Sequence, residues 1–599
     1  MATDVGSTTT KARFFKRGED GWRYVTSGEA PTTVEAPYED VTMGVLNAVR
    51  EIEELTGHRM ITDNNDRILM PFDGKKGVDL YLTTSSAGGG LQMMVGGVVT
   101  EITAASANRA CLGAGSIVMD VLALDDGRLP HEKIRRIKNL RPDMILLAGG
   151  TNGGSVKHVI GMAEVIAAAK PRCRLGEGYS LPLVYAGNID ARQHIEKMCC
   201  NDFSLTMIDN IRPDLDTEVI DPARRAVHEL FMEHVMRQAP GYTKLMGWTD
   251  IDIMPTPAGE GNAMQLLAKA YGTNVLGVGL GGATTNVYSV FDGKFVRSVS
   301  ANLGMSYSIS NVLKEAGIQN ILRWIPFKME TRDLQTRIKN KMIRPTTIPQ
   351  TLEELIIEHA VAREALRLGL QHHKTIATRL KGIKVERNVG DILDQKMEET
   401  YIKMGSIGAI AGTGGLLSHA PRRVQSMIIM TDAFQTEGVT RLFQDSVFMM
   451  PHLGLLSTQY PDIALEIFKR DCLVPMGTVI AVTGEGKVGD EVIEVQLELD
   501  GKTVTKALKY GELCRIPLPE RSTSHAKIQP KKGFDIGQGE GKMVEAEVYG
   551  GVVGLILDAR GRPLKMPEDP AEKRARLLGW FKALDMYPRE LLDRLGEGS

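Results

Sequence analysis

The chain has 599 residues, enough for several domains with large cores, and its 43% hydrophobic and 24% charged content is that of an ordinary globular protein. A net charge of −2 gives no global basic field for nucleic acid and no acidic tail. The six cysteines, Cys111, Cys173, Cys199, Cys200, Cys472 and Cys514, include no CxxC pair, so neither a disulfide framework nor a zinc site is indicated. With no signal-peptide core and no long uncharged apolar run, the expectation is a soluble, cytoplasmic protein with no membrane or nucleic-acid partner.

Residues 4–11 read DVGSTTTK and continue into Phe14 and Phe15. Gly6 lets backbone N–H groups approach an anion closely, and Ser7, Thr8 and Thr9 add hydroxyl donors ahead of Lys11. Asp4 falls at the end of the first strand, where a carboxylate could hold a metal ion through water; it would serve equally as a turn former beside Gly6. The turn cluster at residues 17–22 (RGEDGW) predicts a hairpin meander, and Val41, Val45, Val49 and Ile52 predict a helix stopped by Gly57.

Three short apolar runs then end in small polar loops: TTSSAGGG at residues 83–90, AGGTNGG at 148–154 and AGN at 186–188. Strands ending this way, with helical stretches between, describe an α/β sheet whose loops share a crevice at the strands' carboxyl ends. The adjacent Cys199 and Cys200 read as helical packing residues.

Residues 254–257 (MPTP) mark a break before the second half. Residues 275–290, VLGVGLGGATTNVYSV, repeat the opening device: a buried strand, a Gly281-Gly282-Ala283-Thr284-Thr285 turn and a returning strand. This is a β-hairpin phosphate grip, distinct from the strand-to-helix P-loop, because no GxxxxGK[ST] follows. Residues 331–371 predict two or more helices, the second including Leu355, Ala362, Leu366 and Leu370. His372 and His373 end it, explained by the helix dipole better than by metal binding. Gly412-Thr413-Gly414-Gly415, after a strand at residues 408–411, predicts an unobstructed turn opening a helix that could seat adenosine or phosphate. His419 has no activating neighbour in sequence, and residues 432–435 and 451–454 read as loops.

Beyond Pro475 the pattern alternates: Ile493, Val495, Leu497 and Leu499 with a turn at Asp500-Gly501, then strands at residues 543–549 and 552–557, predict a small β domain. Residues 527–541 (KIQPKKGFDIGQGEG) read as a mobile connection. Asp569 as N-cap, Pro570 at the first helical position and Glu572 completing a capping box predict a final helix with Leu577, Leu578, Phe581 and Leu584 inward.

Taken in order, DVGSTTTK, SSAGGGL at residues 85–91, LLAGGTNGG at 146–154, MPTP, GGATTNVYSV at 281–290 and GTGG…SHAP at 412–421 resemble the MutL/GlmL family, accessory proteins of adenosylcobalamin-dependent mutases. The resemblance covers roughly residues 1–470. It implies the fold of the actin, heat-shock-chaperone and sugar-kinase ATPases, two ribonuclease-H-like α/β halves closing over a nucleotide. The expected divisions are 1–257 for the first half with inserted α/β segments, and 258–470 for the second with a helical insertion at about 305–400. A β-rich region at 471–566 and a helix at 567–599 would follow.

The resemblance further implies ATP or ADP with Mg²⁺ between residues 4–11 and 281–285, with residues 412–415 on the adenosine side and Asp4 toward the metal. Related ATPases commonly carry acids where this chain has Gly279 and Asn286, which puts hydrolysis in question. The implied function is a reactivating factor that exchanges damaged cobalamin on a mutase or aminomutase client, with room for a small second subunit. No DxHxxG signature for holding cobalamin itself is found. The alternatives are a small-molecule kinase of the same fold and a nucleotide-binding scaffold with little hydrolysis.

Overall fold

The computed structural model describes residues 1–599 except 7–8, 35–36, 87–90, 115, 173–179, 232–239, 301, 378–399, 500 and 598–599. The chain opens on an antiparallel meander, β1 (Ala2–Val5), β2 (Thr9–Gly18) and β3 (Gly21–Pro31), with β4 (Leu82–Ser85) parallel to β1. Ala12 and Phe14, two apart on β2, face the buried Val41, Val45, Val49 and Ile52 of the helix Val41–Thr56. Gly57, at φ 68, ends that helix by returning its N–H to Glu53.

Between β4 and its next neighbour lies a wholly parallel sheet of β5 (Gln92–Gly96), β6 (Ile117–Leu122), β7 (Met144–Leu147), β8 (Leu181–Tyr185) and β9 (Phe203–Met207), in the order β6-β5-β7-β8-β9. β7 and β8 are buried along their whole length, as parallel strands covered on both faces must be. The chain then returns as β10 (Met254–Pro255), parallel to β4, and the first sheet reads β10-β4-β1-β2-β3.

The second half repeats this plan. β11 (Val275–Leu280), β12 (Thr285–Phe291) and β13 (Lys294–Ser300) form a meander, β14 (Ala409–Thr413) lies parallel to β11, and β15 (Gly438–Asp445) lies parallel to β14. Strand order and directions match those of the first sheet. One face of this sheet (Leu276, Val278, Val287) packs under the helices Ile309–Ala316 and Leu352–Ile376. The other face (Val275, Tyr288, Val290) packs on the helices Thr256–Tyr271 and Met450–Leu456. These two helices cross in backbone contact: a Cβ on Gly454 would stand 1.8 Å from the Gly259 carbonyl oxygen.

The C-terminal β-rich stretch divides between two sheets. β16 (Leu473–Ala481) joins β15, and of β17 (Glu491–Leu499), β18 (Lys502–Lys509), β19 (Leu513–Ile516), β20 (Thr523–Pro530), β21 (Val544–Tyr549) and β22 (Gly554–Asp558), β22 and β19 extend the large sheet to eight strands. The remaining four form a small antiparallel sheet, β18-β17-β20-β21. Residues 527–541 prove to be part of β20 and a pinned loop, in which one Asp535 oxygen accepts the N–H groups of Gly537, Gln538 and Gly539. Asp569 caps the helix Pro570–Ala583 through the Glu572 N–H, while the Glu572 carboxylate turns to Arg576 instead of closing a capping box. Leu577, Phe581 and Leu584 are buried as expected, and a further helix, Arg589–Glu597, follows.

Three local expectations differ. Residues 432–435 and 451–454 belong largely to the buried helices Arg423–Phe434 and Met450–Leu456, where Pro451 occupies a first-turn position that needs no N–H donor. His373 is not a surface charge at a helix end. It is buried inside the helix Leu352–Ile376, bonded to Ser298 and Ser289 at 2.8 Å each, and burial holds it neutral with its pKa lowered to about 3.

Candidate functional site

The two meanders turn in the same way. At the β1–β2 turn the Gly6 N–H donates to the Thr9 carbonyl at 3.1 Å, and at the β11–β12 turn the Gly281 N–H donates to the Thr284 carbonyl at 2.9 Å. A Cβ on Gly6 would lie 2.6 Å from that carbonyl oxygen, so glycine is required. The Gly6 carbonyl accepts from Thr32 at 2.8 Å. Ser7 and Thr8 lie outside the described residues.

At the second turn the carbonyls of Gly281 and Gly282 accept from the N–H groups of Met305 (3.0 Å) and Ser306 (2.8 Å). Gly304 lies close enough that a Cβ there would stand 2.3 Å from the Gly282 oxygen. The Thr285 hydroxyl is buried and committed to the Leu303 carbonyl. The turn is thus held from behind, and the N–H groups of Gly282 and Ala283 and the Thr284 hydroxyl make no hydrogen bond among the described residues. Gly414, at φ +102, presses on the end of β11, where a Cβ would meet the Leu280 oxygen at 2.2 Å. Gly415 faces open space and starts the one-turn helix Gly415–Ser418. Gly412 packs under Met430, and Thr413 is buried with its hydroxyl on Asp445 at 2.9 Å.

Charged groups converge behind these turns. Asp4, at the end of β1, is buried and accepts from Thr84 (2.7 Å) and Thr256 (2.5 Å). Burial raises its pKa, against the pull of Lys11 and the two hydroxyls. Burial likewise lowers Lys11, while Asp4, Glu29 and Asp445 oppose it, and its Nζ rests 3.6 Å from the Phe448 ring centre. Asp445 ends β15, the counterpart of β10, and accepts the N–H groups of Met449 (2.8 Å) and Met450 (2.9 Å).

The sequence reading missed Glu260. It lies on the first half of the helix Thr256–Tyr271, buried at 3% exposure, with its carboxylate over Gly279. A Cβ on Gly279 would come within 2.4 Å of Glu260 Oε2. Asn286 Nδ2 donates to that oxygen at 3.2 Å, and the Tyr288 hydroxyl donates to it as well. Burial raises the Glu260 pKa to about 7, with Asp4 and Asp445 adding repulsion and the two donors opposing. The signal in the sequence was Gly-Glu-Gly inside a helix, an unfavourable place for glycine unless neighbours approach closely. Gly259 indeed abuts Pro451, and Gly261 abuts the Phe295 ring.

Contacts between the halves hold these elements in register. Arg13 is buried, with Nε on the Val447 carbonyl at 3.1 Å and Nη2 on Glu29 at 3.2 Å. Arg23 grips Asp471 through both its Nε and Nη2, and Asp471 also accepts the Tyr24 N–H at 2.8 Å.

The three predicted polar loops do not share one crevice. The end of β4 joins Asp4, whereas residues 148–154 and 186–188 close on each other at the inserted parallel sheet, through the Asn188 amide to the Gly154 carbonyl (3.1 Å) and the Asn188 N–H to the Gly149 carbonyl (2.9 Å). Residues 87–90 lie outside the described residues, and His419 is exposed at the end of a one-turn helix. Among the described residues no cluster of three or more His, Cys, Asp or Glu is arranged to hold a metal ion directly, and no helix is long and apolar enough to cross a membrane.

Two sheets of one strand order, each with a glycine–threonine hairpin turn, define the two ribonuclease-H-like halves of an actin-type ATPase fold, here with an added antiparallel sheet and terminal helices. The chain belongs to the MutL family, whose model, described as MutL protein, matches residues 1–472. It is 28% identical over 464 residues to Protein MutL of Clostridium tetanomorphum, covering 71% of this chain and 94% of that protein. Among solved structures it is similar to a nucleotide-free diol dehydratase-reactivating factor (9% identity, TM-score 0.28, 77% of this chain and 99% of the other). It is also similar to Plasmodium falciparum glycerol kinase with ADP (9% identity, TM-score 0.28, 79% and 94%).

Proposed function

We propose that this chain binds ATP or ADP with Mg²⁺ between its two glycine–threonine turns and serves as a reactivating factor for an adenosylcobalamin-dependent mutase or aminomutase. The observation that carries the nucleotide site is the duplicated turn: Gly6 and Gly281 make the same hydrogen bond at equivalent strand ends, with the buried Asp4 and the half-buried Lys11 behind the first. Residues 6–9 and Lys11 would face phosphates from one side and residues 281–285 from the other. Gly414 and Gly415 would stand at the rim of the adenosine side, with Gly412 and Thr413 buried in the strand behind them.

The carboxylates suit a hydrated Mg²⁺. Asp4 Oδ2 makes no hydrogen bond among the described residues, and Glu260 and Asp445 add acidic groups within electrostatic reach. Hard carboxylate oxygens acting through water are what Mg²⁺ prefers. When bound, the ion would neutralise the phosphate oxygens. Family membership supports the mutase-associated role. Nucleotide would shift the balance between open and closed halves, and a client preferring one state would be gripped and released in turn.

Calorimetric titration of ATP and ADP with Mg²⁺, on the natural chain and on Asp4→Ala, tests the site. Release of cobalamin from an inactivated mutase then tests the role. Binding that weakens in the variant, with ATP-dependent cobalamin release, is expected. Phosphorylation of a metabolite hydroxyl would instead point to a kinase, and no nucleotide binding would leave a scaffold.

A further inference from the structure

Resting on the nucleotide-binding function proposed for this crevice, we propose that Glu260 takes a proton from the water that attacks the γ-phosphorus, replacing the strand acids absent at Gly279 and Asn286. The replacement is spatial. Gly279 pairs with Asn286 across the β11–β12 hairpin and with Thr413 on β14, so it lies in the sheet directly behind the second turn. Its missing side chain leaves the volume that the Glu260 carboxylate fills, and any other residue there would drive the carboxylate out.

The carboxylate is oriented on one side and open on the other. Oε2 takes both the Asn286 amide and the Tyr288 hydroxyl, while Oε1 makes no hydrogen bond among the described residues. A second unfilled acceptor lies beside it: Asn286 Oδ1 is buried and has no hydrogen-bond partner among the described residues. One buried unfilled acceptor and one open carboxylate oxygen on adjoining side chains suit a species that donates twice, which is what a water molecule does.

In the step so defined, one water hydrogen goes to Glu260 Oε1 and the other is held by Asn286 Oδ1. The water oxygen bonds to the γ-phosphorus as the bond from that phosphorus to the β–γ bridging oxygen breaks. The bridging electrons leave with ADP, phosphate is the second product, and Glu260 later returns its proton to solvent.

A base for this step works best when half ionised near neutrality. The charged and titratable groups facing Glu260 are Asp4 on β1, Tyr288 on β12, Arg297 on β13 and Asp445 on β15, and burial among them holds its pKa near 7. Glu260 also shares a helix with Thr256, which bonds Asp4, and with Gly259, which meets the crossing helix Met450–Leu456. Movement of that helix relative to β1 or β11 would therefore alter the reacting geometry.

The test is single-turnover hydrolysis of ATP by the full chain, its Glu260→Gln variant and its Tyr288→Phe variant across neutral pH, with calorimetric nucleotide affinities measured in parallel. Glu260→Gln is expected to lose hydrolysis by about 100-fold or more, with ATP affinity within about threefold of the natural chain. The natural chain's rate should fall on the acid side of a single midpoint, as Glu260 takes up its proton. Tyr288→Phe, which removes a donor to the carboxylate, should move that midpoint upward. ATP that binds and is hydrolysed equally by Glu260→Gln overturns the proposal, as does bound ATP that the natural chain leaves intact; both leave the nucleotide site standing. Failure of the natural chain to bind ATP overturns the site and this role together. Should Glu260→Gln not fold, an acid limb unmoved in Tyr288→Phe overturns the role.

Discussion

Gly279 and Glu260 share one space: a Cβ on the strand residue would stand 2.4 Å from Oε2 of the helix residue. An acid at position 279 and an acid at position 260 are therefore mutually exclusive. Gly279→Asp should destabilise the fold by about 1–3 kcal/mol through overpacking, with like-charge repulsion added. Glu260→Gly placed in the same chain should recover much of that loss, a non-additive pair with a coupling of about 1 kcal/mol or more. Urea denaturation of the two single variants and the double variant measures it, and additive losses would refute the shared space.

Asp4 stands where β1 meets the turn, with Thr84 and Thr256 on Oδ1 and Oδ2 left over. Asp4→Asn keeps the size and loses the charge. Nucleotide affinity measured with Mg²⁺ should fall about tenfold, or about 1.4 kcal/mol, whereas affinity in excess chelator should change little. An equal loss in both conditions would mean that Asp4 serves the turn and not a metal.

Much of this site could be read from residue types because turns are local. Gly6 is demanded by a contact three residues away, and the strand that leads into Gly281 announces itself by a buried apolar run. Glu260 could not be read that way. Its role depends on a void beside β11, across the helix–sheet packing, and nothing local to residue 260 reports which strand residue lacks a side chain. The strands β16, β19 and β22 are short runs interleaved in sequence with those of the small sheet, and strand propensity carries no information about which sheet a strand joins. His373 looked like a charge at a helix end because its serine partners lie on β12 and β13, 84 and 75 residues distant in sequence.

The C-terminal stretch should behave as part of the second half. Asp558, at the end of β22, accepts from Arg560 (2.9 and 2.7 Å) and Arg562 (2.6 Å), and Arg560 reaches Asp432 at 2.7 Å, which Arg363 also holds at 2.8 Å. All five side chains are buried. Arg560→Met leaves Asp432 and Asp558 short of a partner and should cost about 3–5 kcal/mol in urea denaturation. Truncation after Cys472 removes β16, β22 and β19 together, bares the β15 edge, and should yield aggregated protein by size-exclusion chromatography. A monodisperse truncated chain would show that the eight-stranded sheet is not one unit.

Buried titratable groups give the fold opposing pH dependences. Glu260 is raised from 4.5 to about 7, so between those values the folded chain holds a proton that the unfolded chain has released. Its contribution to stability therefore falls as pH rises through that window and is gone above about 7. His359, hydrogen-bonded to Tyr587 at 2.7 Å, and His373 are both lowered from 6.5 to about 3. The unfolded chain binds those protons first, so their contribution falls as pH drops below about 6.5. Glu260→Gln removes only the first effect. The stability of the natural chain minus that of Glu260→Gln should decline by about 1.4 kcal/mol per pH unit between about pH 5 and 7, then level off. Urea denaturation of the nucleotide-free proteins across that range checks it. A difference that stays constant with pH would mean that Glu260 is ionised throughout, with Arg297 as the cation facing it.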